Sequence, residues 1–236
     1  MFEEHNSQLY TDMNINHEFF GGLAAGMGAV SFIPYVIALF RKKNPIVPSK
    51  ASWIIWAIMG LAILAGSKAT GAKATIGLAV VYAVFPIIFL GLLFLKYPGK
   101  EKWNPAERIY FLIGLSLLVP WVAFKIVERF DLAPEWRWIL PCITLCCSIA
   151  VDGCAAWPTV IKCWKNPASE DVCAWTIMAI GNDIYLLAVE DWSWSNWIKW
   201  IYPIYVTLPS GFIAPPLLIH AYKQWRHKRL NPAAGQ

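Results

Sequence analysis

Seven stretches of this chain are almost wholly apolar, and its polar residues gather in the short connections between them. The apolar runs cover residues 19–40, 53–67, 74–95, 109–125, 138–164, 175–189 and 200–222. Roughly 20 apolar residues cross the ~30 Å hydrocarbon core of a bilayer, so these runs predict membrane helices. The second and sixth are short, and each gains length from flanking Trp, Ser or Ala residues. The pattern therefore predicts an all-α, multi-pass integral membrane protein with seven transmembrane helices. Short spans in corresponding places of two halves are themselves a pointer to a binding site.

The same pattern occurs twice. Residues 44–58 return as residues 166–180 without a gap: Asn44-Pro45 answers Asn166-Pro167, Trp53 answers Trp175, Ile55 answers Ile177, and Ala57-Ile58 answers Ala179-Ile180. Upstream, Pro34 and Ile37 correspond to Pro158 and Ile161; downstream, Tyr82 and Pro86 correspond to Tyr205 and Pro209. An internal repeat of three spans is the mark of a transporter whose site lies between two similar halves.

Composition agrees with a membrane location, since 58% of the 236 residues are apolar and only 15% are charged, outside the soluble range. Charge gives the orientation. Arg41, Lys42, Lys43 and Lys50 follow the first run; Lys96, Lys100, Lys102 and Arg108 the third; Lys162 and Lys165 the fifth; Lys223, Arg226, Lys228 and Arg229 the seventh. That side holds fourteen of the 20 Lys and Arg. The positive-inside rule then predicts an N-terminus outside and a C-terminus in the cytoplasm, in a cell membrane of the bacterial inner-membrane kind. The net charge of +5 follows from this bias and does not signal nucleic acid. About eighteen polar, acidic residues precede the first run, where a signal peptide would carry a basic region.

Several residue types change the picture little. The six Cys lie between 142 and 173, without the spacing of a metal site or disulfide framework. The four His are terminal or near helix ends, and no cofactor is expected. No nucleophile, His and acid combine into an enzyme site.

Other residues stand where they are costly. Pro34, Pro86, Pro158 and Pro209 fall inside predicted helices in repeat-matched pairs. Each removes a backbone hydrogen bond and marks either a packing kink or a hinge beside a cavity. Asp152 lies near the middle of the fifth run, matched to Gly28, while Asn182 and Asp183 lie about seven residues into the sixth. A carboxylate near the bilayer centre costs roughly 2.5–3.5 kcal/mol on insertion scales, so it usually faces the bundle interior and marks a pathway. Asp152 and Asp183 are thus candidates for proton coupling, with a structural hydrogen bond across a helix interface as the alternative. Most of the fourteen Trp sit at helix ends, as interfacial belts do. Trp53, Trp56, Trp157 and Trp175 lie at or inside the repeated segments and are candidates for stacking on a ligand, with packing as the alternative.

The order from Pro34 through Arg41-Lys42-Lys43-Asn44 to Ser52-Trp53, echoed from Pro158 through Lys165-Asn166 to Ala174-Trp175, resembles the PQ-loop and SWEET superfamily of small-molecule transporters. The resemblance implies two parallel three-helix bundles, at 18–97 and 138–223, joined by a helix within 98–137. An extracytoplasmic segment at 1–17 and a basic cytoplasmic tail at 224–236 complete the chain. The family's Pro-Gln is Pro34-Tyr35 and Pro158-Thr159 here, so the glutamine's role does not carry over. Asn182 matches the pocket asparagine such transporters use, whereas Gly60 fills the equivalent position of the first half.

These readings converge on a transporter of a small polar metabolite working by alternating access. Asn182, Asp152, Trp56, Trp157 and Trp175 are its expected substrate contacts, and a proton is a second cargo if the acids titrate. The alternative is a receptor of the same architecture that binds a peptide or small ligand without moving it. A retinal protein is disfavoured, because residues 201–222 contain no lysine.

Overall fold

A computed structural model describes residues 16–42, 45–46, 48–69, 74–98, 105–127 and 134–230. The described residues form seven α-helices: α1 His17–Phe40, α2 Lys50–Ala69, α3 Ile76–Lys96, α4 Pro105–Val127, α5 Pro134–Lys165, α6 Val172–Leu186 and α7 Trp197–Leu230. Short 3₁₀ turns at Pro167–Ser169 and Trp194–Asn196 precede α6 and α7, and no strand occurs among the described residues. Most of the N-terminal segment 1–17, and parts of the linker 98–137 and the tail, lie outside the described residues.

Among the described residues, four segments are long and apolar enough to cross a membrane: His17–Phe40, Ile76–Lys96, Leu145–Lys165 and Trp194–His227. The apolar parts of α2 and α6 are shorter. Large hydrophobic side chains such as Ile33, Ile37, Leu95, Val119 and Leu218 point outward and are exposed. A water-facing surface does not hold so many, and these helices place the chain among membrane proteins. Helices suit that solvent because each satisfies its backbone groups internally. Side chains cap the free N–H groups at two of their starts: Asn16 accepts from Phe19 N at 2.9 Å and Asp171 from Ala174 N at 3.0 Å.

Packing follows the repeat. α3 lies against both α1 and α2, and α7 lies against both α5 and α6. Between the halves the main contacts are α1 with α6 and α2 with α5, which exchange under the correspondence of the repeats. α4 packs chiefly on α5. At one end Arg41, after α1, meets Asp171, before α6, while Lys50 at the start of α2 donates to the carbonyl of Tyr97 after α3. At the other end His17 of α1 pairs with the carbonyl of Leu187 after α6, and Tyr185 of α6 donates to the Thr75 carbonyl before α3.

Most boundaries shift by a few residues from the hydropathy pattern, and two of the shifts have a visible cause. The sixth helix stops at Leu186, not at 189, because the amides of Ala188 and Val189 turn back to the carbonyls of Tyr185 and Leu186. Val189 is nevertheless 3% exposed, so its apolar character reports burial and not helix. The seventh helix continues past 222 to Leu230. Its polar last turns contain good helix formers, and Arg229 lies 5.3 Å from the Trp225 ring centroid. Hydropathy marks where the apolar solvent ends, and the helix need not end there. Pro34, Pro86, Pro158 and Pro209 all lie within unbroken helix.

Candidate functional site

A cavity of about 100 Å³ lies between the halves, lined by α1, α2 and α3 on one side and α5, α6 and α7 on the other. That volume holds several waters or a small solute. Its walls are mainly aromatic: Phe32, Tyr35, Trp53 and Trp56 from the first half meet Trp175 and Tyr202 from the second. The indoles of Trp56 and Trp175, one from each half, have centroids 6.4 Å apart and planes inclined at 56°. Trp53 stands edge-on to Trp56 at 5.1 Å and packs on Phe89 at 4.2 Å.

Polar groups enter this cage at few points. Asp152 reaches it from α5, partly exposed, within interaction range of the Trp56 indole and the Tyr205 hydroxyl. The Tyr205 oxygen is buried and makes no hydrogen bond of proper geometry among the described residues. In the first half the residue matching Asp152 is Gly28, and a Cβ there would come within 2.9 Å of Leu78 Cδ1. Tight packing of α1 on α3 thus replaces an ionisable group.

Asn182 also lines the cavity, but its amide is already engaged. Its Nδ2 donates to the Val206 carbonyl at 3.1 Å and to Ser210 Oγ at 3.2 Å, and its Oδ1 accepts from the Tyr82 hydroxyl of the first half. The matching Gly60 sits against backbone: a Cβ there would overlap the Tyr82 carbonyl. At equivalent points α2 meets α3 by bare backbone contact and α6 meets α7 through an amide. Ser31 and Ser210 likewise spend their hydroxyl protons on carbonyls, Ser31 on Gly28 at 2.6 Å and Ser210 on Val206 and Thr207 at 3.1 Å.

Ionic contacts between the halves stand beside the cavity, behind its lining residues Tyr35 and Trp175. Tyr35 Oη donates to Glu170 Oε2 at 2.5 Å, and Trp175 Nε1 donates to the same oxygen at 3.2 Å. Lys162 Nζ lies 3.1 Å from Glu170 Oε1, and Arg41 Nη2 lies 2.9 Å from Asp171 Oδ2. Both acids are buried, at 8% and 4% exposure.

The structure therefore gathers Asp152, Asn182, Trp56, Trp175 and Pro209 around one cavity. It leaves Trp157 and Asp183, and the prolines Pro34, Pro86 and Pro158, outside that lining. Trp157 is 49% exposed and does not line the cavity. Asp183 is exposed and also absent from the lining; it lies three residues from the end of α6, where a carboxylate can reach the interface. Tyr35, Tyr82, Tyr202 and the Glu170–Asp171 pair were not singled out by sequence. Tyr35 stands where the resembling family has its glutamine, and Tyr82 matches Tyr205 across the repeat, so both had a signal. No protein-family profile, curated protein or solved structure matches the chain.

Proposed function

We propose that this chain is a membrane transporter that carries a small polar solute by alternating access. The observation that carries the reading is the cavity itself, shared by both repeats, with side-chain contacts between them beside it. In this reading all seven helices span the membrane, three, one and three, as in the PQ-loop and SWEET superfamily. The α1–α6 and α2–α5 contacts support it, because they are the two contacts that a pseudo-symmetry axis along the membrane normal would exchange. The N-terminus lies outside and the basic end, with Arg41, Lys50, Lys96 and Lys162, faces the cytoplasm of a bacterial cell.

The contacts of Tyr35 and Arg41 with Glu170 and Asp171 then form a closed cytoplasmic gate, and the prolines of α1, α3, α5 and α7 are the places where helices flex. Opening that side requires both inter-half contacts to part. Asp152 is the carboxylate placed to take part in coupling, since it alone of the two candidate acids lines the cavity. The test is uptake into proteoliposomes from a mixed metabolite pool, read by mass spectrometry. Selective, saturable accumulation supports the reading. Binding of a ligand with no uptake would replace the transporter by a receptor of the same architecture.

A further inference from the structure

The chemistry of the cavity restricts what it can hold. Its one carboxylate, Asp152, has no Lys, Arg or His among the residues that line the cavity with it. A carboxylate withdrawn from water without a counter-charge is costly, and beyond the Trp56 indole N–H and the Tyr205 hydroxyl the surroundings of this one supply ring faces and no cation. A sugar would need several hydrogen-bonding groups, yet both Asn182 amide protons and the hydroxyl protons of Ser31 and Ser210 are already committed within the protein. An amino acid would bring a carboxylate of its own into a space that offers no positive charge to receive it. A cation with apolar substituents meets neither obstacle. It neutralises Asp152, and its polarised methyl or methylene groups lie against indole and phenol faces.

We propose that the cavity binds a small organic cation that carries no anionic group, an ammonium compound of few carbon atoms. Asp152 is its counter-charge, and Trp56, Trp175 and Tyr202 are its aromatic walls. The assignment rests on reading this cavity as the solute site. It draws on both halves of the molecule: α2 supplies Trp56, α5 supplies the charge, and α6 and α7 supply the opposite faces. A cavity of about 100 Å³ suits a compact head such as that of choline or ethanolamine.

The test is equilibrium binding to the full-length protein in lipid nanodiscs, followed by calorimetry and intrinsic tryptophan fluorescence without any gradient. The probes are choline, ethanolamine and tetramethylammonium, with glycine betaine and glucose as comparators. Betaine keeps the trimethylammonium head of choline and adds a carboxylate, so at least one of the cations should bind about tenfold or more tightly than either comparator. Asp152→Asn should weaken that cation by about tenfold or more, while Asp152→Glu retains most of the affinity. Trp56→Ala should cost about five- to tenfold, with Trp56→Phe between it and the native protein. Thermal melting of each variant separates loss of fold from loss of site, and the Glu variant keeps the test valid if Asn fails to fold. Betaine or glucose binding as tightly as the cations overturns the assignment, as does cation binding that Asn leaves unchanged or absence of binding by all three cations. Cation binding without uptake removes the transport reading and leaves this one standing; uptake of glucose with no cation binding does the reverse.

Discussion

Tyr35 on α1 and Glu170 in the connection before α6 share a 2.5 Å hydrogen bond across the two halves, beside the cavity that both halves enclose. The tyrosine faces two ways, with its ring against Trp53 and Phe89 and its hydroxyl on the acid. Glu170 in turn holds the Trp175 indole and the Lys162 ammonium. One carboxylate thus fixes an aromatic wall of the cavity and ties it to the opposite half. The repeat does not reproduce this arrangement, because Thr159 matches Tyr35 and Pro48 matches Glu170.

Tyr35→Phe removes the inter-half hydrogen bond and keeps the ring. A buried hydrogen bond to a charged group contributes about 1.5–3 kcal/mol, so the closed state should lose roughly that much. The expected outcome is faster alkylation, from the cytoplasmic side, of a cysteine placed at the cavity residue Met178, in a background freed of the six native cysteines. Unchanged labelling would mean that this contact does not hold the gate.

Gly60→Ala should be among the most damaging single-methyl changes in the molecule. The added Cβ would run into the Tyr82 carbonyl, which is backbone and cannot rotate away. Overpacking of this kind costs about 1–3 kcal/mol, and more where backbone must move. Gly22→Ala, where a Cβ meets nothing within 4 Å, serves as the matched control and should melt like the native protein. Thermal unfolding in detergent, read by far-ultraviolet circular dichroism, makes the comparison.

Helix number and order were legible from hydropathy, because lipid leaves the chain no alternative to satisfying its backbone within each segment. The equivalences Gly28–Asp152 and Gly60–Asn182 were legible from the repeat; of the Trp residues singled out with it, Trp53, Trp56 and Trp175 line the cavity and Trp157 does not. Side-chain direction was not. Asp183 and Asn182 are neighbours in sequence, but a helix turns about 100° per residue, so one enters the cavity and the other faces outward. The committed amide of Asn182 was hidden for the same reason: its partners Tyr82, Val206 and Ser210 lie on two other helices. The Glu170–Asp171 pair read as a polar connection, and only the approach of α1 shows that it is buried.

Asn182→Ala should therefore destabilise the protein with no solute present. It leaves the Tyr82 hydroxyl without its acceptor and frees Ser210, so about 1–3 kcal/mol is expected from unsatisfied buried groups. Melting temperature without ligand is the measurement. A residue that served only as a solute contact would leave that temperature unchanged and lower affinity alone.

The acids separate in a last experiment on coupling. Asp183→Asn alters an exposed side chain near a helix end, and a substitution of this kind usually stays within about 0.5 kcal/mol. Uptake and its response to a pH gradient should both survive. Two roles are proposed for Asp152, and one variant distinguishes them. If its carboxylate serves only to carry a proton, Asp152→Asn abolishes accumulation driven by a pH gradient and leaves solute exchange at equilibrium intact. If the carboxylate is also the counter-charge of a cationic solute, proton and solute compete for one group and the same variant loses exchange as well. Loss of both activities is the outcome expected here, in proteoliposomes loaded with labelled choline. Exchange that survives in Asp152→Asn would keep a coupling role for the carboxylate and take the solute away from it, and gradient-driven uptake that survives in both variants would place the coupling group elsewhere than on these two acids.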